Sequence, residues 1–180
     1  MNNRQIDKSK IAIKNAFISL LSEQEFNQIT IQDISDKANI GRRTFYNHYI
    51  DKYDLLTNLI QDHLNELGSI CYTSRKSDNT DAKSSDWFDY FEKNHQFFTT
   101  MLNGSGKYTF RSVFYNFVHR ELKEFIDTSS GINANINEDI LFCFLTSAIV
   151  GVIEAYFTDD APISAHDLKE QVMILLDRNI

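Results

Sequence analysis

Only one proline, Pro162, six glycines and two cysteines occur in 180 residues. So few breakers argue against a turn-rich β-sandwich or barrel. Few stretches alternate apolar with polar side chains, so the pattern predicts an all-α fold. Cys71 and Cys143 lie far apart and form no CxxC pair, which argues against a disulfide framework or a zinc site. There is no HExxH or other metal-ligand spacing, no GxSxG, no glycine-rich phosphate loop and no cluster of catalytic carboxylates, so neither an enzyme nor a cofactor is expected. The N-terminus carries charges where a secretory signal needs an apolar run, so a cytoplasmic location is expected. The longest uncharged stretch, between Asp139 and Glu154, has 14 residues, short of the roughly 20 that span a bilayer. It reads as a buried or interfacial helix, with no membrane partner.

What is present is enough apolar material, 42% of residues, to bury a sizeable core. The net charge of −7 is divided unevenly. Residues 1–52 hold eight Lys and Arg against six Asp and Glu, a net +2, while residues 53–180 hold ten against nineteen, a net −9. An acidic body would repel a polyanion and leave the N-terminal segment to face it.

Apolar spacing predicts a first helix over about 7–23, carrying Ile13, Ala16, Phe17, Leu20 and Leu21. Thr30 and Asp33 form a capping-box pattern for a second helix ending near Ala38. Asn39-Ile40-Gly41 supplies a tight turn, and a third helix covers about 42–49. Asp51 can cap a long fourth helix running toward Gly68. Residues 73–85 are polar and read as a loop. Aromatic-rich helices follow over about 86–102 and 107–126, separated by Asn103-Gly104-Ser105-Gly106. An apolar helix spans 138–157, and Ser164 opens a last one.

Two helices joined by a turn of about four residues have the spacing of a helix-turn-helix. Phe45 and Tyr49, four apart, would pack inward and leave Arg42, Arg43, Tyr46 and Asn47 facing out. Arginine can bond guanine edges and asparagine adenine edges, while Tyr and Thr hydroxyls suit phosphate oxygens. Thr30 fits either a helix cap or a phosphate contact. The chain is therefore expected to divide into a three-helix DNA-binding unit, 1–52, joined by the long helix to a helical bundle, 53–180.

The run Thr30-Ile31-Gln32-Asp33-Ile34, Ala38-Asn39-Ile40-Gly41, Thr44-Phe45-Tyr46-Asn47-His48-Tyr49 and Lys52 with Leu55-Leu56 closely resembles the DNA-binding signature of TetR-type regulators. The resemblance implies a sequence-specific transcriptional regulator: a homodimeric repressor on a near-palindromic double-stranded operator, under the control of an effector. It also implies that Thr44, Tyr46, His48 and Lys52 grip phosphates, with positions before Thr44 reading bases. Arg42 and Arg43 stand where the family usually has small residues, which implies longer groove contacts and a guanine-rich operator. Tyr49 replaces the usual Phe, and Asp54 the usual Glu.

Eleven of the 23 aromatics fall between Trp87 and Phe117. Phe91, His95 and Phe98 share one helical face and Phe110, Phe114 and Phe117 another, so the two stripes line a pocket or fill a core. If they line a pocket, His95, Arg111, Tyr115 and His119 are placed to orient an effector. The helix containing Phe144, Ala148 and Gly151, followed by one with Leu168, Val172 and Leu175, resembles the paired dimerisation helices of the same regulators. Phe97-Phe98-Thr99-Thr100-Met101-Leu102 resembles a branch that includes regulators of dihydroxyacetone utilisation, some of which answer to a protein, so the effector is a small molecule or a protein. The alternative is a helical interaction module controlled by a protein partner, with no small-molecule ligand.

Overall fold

The computed structural model describes residues 3–76, 85–104, 107–158 and 163–178. Among these it is all α: α1 (Asn3–Glu23), α2 (Ile31–Lys37), α3 (Arg42–Tyr46), α4 (Lys52–Lys76), α5 (Ser85–Lys93), α6 (His95–Asn103), α7 (Lys107–Lys123), α8 (Glu138–Phe157) and α9 (Ala165–Asp177). Short 3-10 turns cover Phe26–Gln28 and Gly131–Asn133.

The ends of several helices follow from their caps. Thr30 accepts from the Asp33 amide at 3.2 Å and the Asp33 carboxylate accepts from the Thr30 amide at 2.8 Å, the reciprocal pair that starts α2. Asp51 Oδ1 accepts from the amides of Tyr53 and Asp54 to start α4. Asn137 caps α8 and Ser164 caps α9.

Other boundaries differ from the sequence pattern. Helix α4 runs through Gly68 to Lys76, because Gly68 faces the Phe117 ring and packing against α7 sustains the helix there. Residues 73–76 of the expected loop are therefore helical, and 77–84 lie outside the described residues, as do Pro162 and the Ser105-Gly106 half of the expected breaker. The stretch read as one helix over 86–102 is two, broken at Asn94. Asn94 leaves helical geometry there (φ −112°, ψ 25°), and its carbonyl accepts from the amides of Phe97 at 2.9 Å and Phe98 at 3.3 Å to start α6. Helix α3 ends at Tyr46 instead of Tyr49. In the preceding turn only Asn39 takes a left-handed conformation, φ 52°. Gly41 is extended and caps α3 with its backbone, so its freedom at positive φ is not used.

One cluster of buried side chains runs from Ile13 and Phe17 in α1 to Leu168 and Val172 in α9. Helix α4 contributes to it from Leu55 to Leu67. Helix α7 packs on α8, α4 on α5 and α7, α9 on α8 and α5, and α6 on α1 as well as on its own neighbours. The N-terminal unit thus rests on the bundle through α4 and through the α1–α6 contact.

Candidate nucleic-acid interface

Helix α3 is only five residues long, too short to hold itself, and two rings anchor it from behind. Phe45 and Tyr49 are almost wholly buried, their centroids 5.8 Å apart. With those positions inward, helical geometry leaves Arg42, Arg43, Tyr46 and Asn47 exposed on the outer face, with Thr44 half-buried beside them. The structure therefore brings these five side chains to one surface. Gly41 opens that surface, and a Cβ built on it would meet nothing within 4 Å.

His48 and Lys52 are engaged elsewhere. The His48 Nε2 lies 2.8 Å from the Ser9 hydroxyl, which ties the end of the recognition segment to α1. The Lys52 ammonium donates to the carbonyls of Phe26 at 3.0 Å, Asn27 at 3.0 Å and Ile29 at 2.8 Å, and lies 4.9 Å from the centre of the Phe26 ring. An ammonium has three N–H donors, and all three are used here. These carbonyls would compete with the expected phosphate grip at Lys52, and through them the residue closes the turn between α1 and α2 onto the start of α4. Thr30 is exposed and serves as the cap of α2.

The Tyr49 hydroxyl is buried without a hydrogen-bond partner. Burial, with Asp62 and Asp54 nearby, pushes it up to about 12.

The residues expected around an effector do not converge on a single space. Phe91, Phe98, Phe110 and Phe114 are buried and fill one another's surroundings, with Phe91 edge-on to Phe98 at 4.7 Å and Phe110 stacked on Phe114 at 5.6 Å. The stripes make a core, and a ligand among these rings would have to displace one. His95 lies at the surface against Phe157. Arg111 is exposed and pairs with Glu154 at 2.8 Å, while the Tyr115 hydroxyl is directed at the Cys143 sulfur, 3.8 Å away.

The side chains expected at a dimer contact divide into two groups. Ile140, Phe144 and Leu175 are more than half exposed, and Ala148 and Gly151 are exposed with them. Leu168 and Val172 are instead buried within the chain, so their place in an interface is corrected: they hold α9 onto α5 and α8. By length and composition α8 is apolar enough to cross a membrane. Its Leu145, Val150 and Ile153, however, are buried in the bundle and its Thr146 hydroxyl is 3.2 Å from His119 Nδ1.

His63 gave no sign of function in the sequence. It packs against Tyr90, Phe97 and Phe98 of the bundle, and its spacing from Leu59, Ile60 and Leu67 is the signal that would have placed it on the buried face of α4. Among the described residues, no three His, Cys, Asp or Glu side chains are grouped to hold a metal ion.

Two family models match the chain. Residues 15–59 match "Bacterial regulatory proteins, tetR family", and residues 78–178 match "Transcriptional regulator C-terminal region". A TetR transcriptional regulator from Streptococcus agalactiae 2603V is 31% identical, with 96% of each chain covered and a TM-score of 0.66. The dihydroxyacetone kinase operon activator DhaS, 19% identical over 96% of each chain with a TM-score of 0.67, shares the fold. An uncharacterized HTH-type transcriptional regulator of Bacillus subtilis (strain 168), YxbF, is 43% identical over 60 residues, which span 33% of this chain and 16% of that protein.

Proposed function

The chain belongs to the TetR family and is a DNA-binding transcriptional regulator, and we propose that it holds a near-palindromic operator as a homodimer, with one α3 in the major groove of each half-site. The observation that carries this reading is the outer face of α3, where Arg42, Arg43, Tyr46 and Asn47 are exposed while Phe45 and Tyr49 anchor the helix. The two arginines and Asn47 address base edges, and Thr44 and Tyr46 offer hydroxyls to phosphates. His48, through Ser9, and Lys52, through three carbonyls, keep the head in shape. The acidic residues of 53–180 turn the rest of the molecule away from the duplex.

A second copy covers the stripe of Ile140, Phe144, Ala148 and Gly151 on α8, with Leu175 of α9 beside it. Such a stripe is too apolar to face water, and the same surface on both copies makes a two-fold contact. The small residues at 148 and 151 let the helices approach. The division at residue 52 separates the reading head from the bundle that pairs it. In the cytoplasm the protein acts as a repressor whose grip an effector loosens by preferring one of two spacings of the heads.

Fluorescence anisotropy on the DNA upstream of its own gene, against a random duplex of equal length, tests this reading. Preference for the upstream duplex, weakening with salt, is expected. Equal affinity for both duplexes overturns sequence-specific regulation, and a stable monomer at micromolar concentration by light scattering overturns the dimer.

A further inference from the structure

The rings that fill the regulatory core leave open space at its edge. A cleft of about 170 Å³ lies between α5, α8 and α9. Phe88, Phe91 and Leu168 form its apolar walls, and Glu92 and Tyr156 stand among its polar groups. We propose that this cleft is an effector site for a small organic cation, an arylalkyl ammonium of about the size of benzylamine. The effector role rests on the reading of the chain as a DNA-binding regulator; the binding of the cation does not.

Size, walls and charge agree on that class. An apolar cavity of about 150 Å³ accommodates benzene, so a single ring with a short arm fits. Phe88, Phe91 and Tyr156 supply aromatic rings to the lining, and a ring quadrupole attracts a cation in addition to the packing it gives a neutral ring of the same shape. The Glu92 carboxylate accepts from the Tyr156 hydroxyl at 2.5 Å. A carboxylate has about four lone-pair positions, so Tyr156 can hold Glu92 in place while the same group accepts from an ammonium. Asp89 adds a second carboxylate to the lining, to which α9 contributes Lys169 and His166. The surrounding residues 53–180 carry a net −9, a field that concentrates cations and disfavours anions.

The location gives the occupant leverage. Helix α9 lies beside the exposed α8 stripe. Helix α5 packs on α4, where the Tyr90 hydroxyl is 2.7 Å from His63 Nδ1. A ligand wedged between α5 and α9 therefore presses on both the pairing surface and the helix that carries the reading head. It shifts the equilibrium only by the difference in its affinity for the two arrangements.

Isothermal titration calorimetry of the full chain with benzylammonium, benzyl alcohol and benzoate tests the proposal. Saturable binding of one benzylammonium per chain is expected, at least about tenfold tighter than the neutral alcohol. Glu92→Gln should remove most of that preference, and Ala165→Phe, which fills the cleft from the start of α9, should abolish binding. Circular dichroism of each variant establishes that it is folded, and Ala165→Met serves if the larger ring is not tolerated. Equal affinity for the three probes, no binding at millimolar concentration, or unchanged binding in the filled variants overturns the site. In the anisotropy assay, benzylammonium should weaken duplex binding of the unmodified protein and not of Ala165→Phe. Saturable binding with no change in duplex affinity overturns the effector role. A protein that never binds DNA but still takes up the cation speaks against the regulator reading alone.

Discussion

The imidazole of His63 lies nearly flat against the ring of Phe97, centroids 3.7 Å apart and planes 17° from parallel, while its Nδ1 meets the Tyr90 hydroxyl at 2.7 Å. One side chain of α4 thereby joins α5 and α6. Beside it Asp62 pairs with Lys14 of α1, so the same turn of α4 also holds the N-terminal unit. Burial, helped by the Lys14 charge and opposed by Asp62, pushes His63 down to about 4.

A depressed histidine makes stability depend on pH in one direction. Unfolded histidine titrates near 6.5, so between about pH 6.5 and 4 the unfolded chain binds the extra proton and stability falls as the pH is lowered. Over that window the loss should reach up to about 3 kcal/mol. Urea denaturation near both ends of the window measures it, and His63→Phe should lose most of the dependence. If the variant follows the same pH curve as the unmodified protein, the assignment to His63 is wrong.

Lys52→Ala should lower stability and leave the electrostatics of DNA binding nearly unchanged. Three carbonyls lose a charged donor, a cost of about 2 to 3 kcal/mol. The dependence of log affinity on log salt should keep its slope, because the ammonium is used within the protein. A slope smaller by about 1 to 2 per dimer would restore Lys52 as a phosphate contact.

Tyr49→Phe should stabilise the protein by about 1 kcal/mol, since the hydroxyl is buried without a partner and its removal relieves a desolvation cost. Operator affinity should not change, because the ring still anchors α3. A lower melting temperature by calorimetry would mean that the hydroxyl has a partner in solution.

Gly68→Ala should raise stability by about 0.5 to 1 kcal/mol, the ordinary gain of replacing glycine inside a helix. A Cβ there would meet the Phe117 ring at 3.6 Å, an ordinary contact. Thermal unfolding is the measurement, and a loss of stability would show that α4 and α7 tolerate no closer approach.

Arg43→Ala and Tyr46→Phe should fail differently. The arginine variant should lose about 1 to 3 kcal/mol per half-site on the operator and relax base preference at one symmetric pair of positions. The Tyr46 variant should weaken binding about equally on operator and random duplex, because phosphates carry no sequence information. Parallel anisotropy titrations compare them, and the same loss of specificity in both would remove the division of roles.

Where a side chain acts within one helical turn, the sequence alone determined the outcome. The Thr30–Asp33 capping box, the limits of α8, the inward Phe45 and Tyr49 and the outward arginines all follow from spacing and donor chemistry over three or four residues. Tertiary structure decided what depends on a neighbour distant in the chain. The lysine ammonium at position 52 is equally suited to a phosphate and to carbonyls, and only the approach of residues 26–29 places three carbonyls around it. Aromatic stripes have the same periodicity whether they line a pocket or fill a core, and it was the meeting of α5, α6 and α7 that closed them. Leu168 and Val172 differ from Leu175 only in which side of α9 the bundle covers. Gly68 looks like a helix end until Phe117 packs against it, because a weak local propensity is outweighed by burial supplied from another helix.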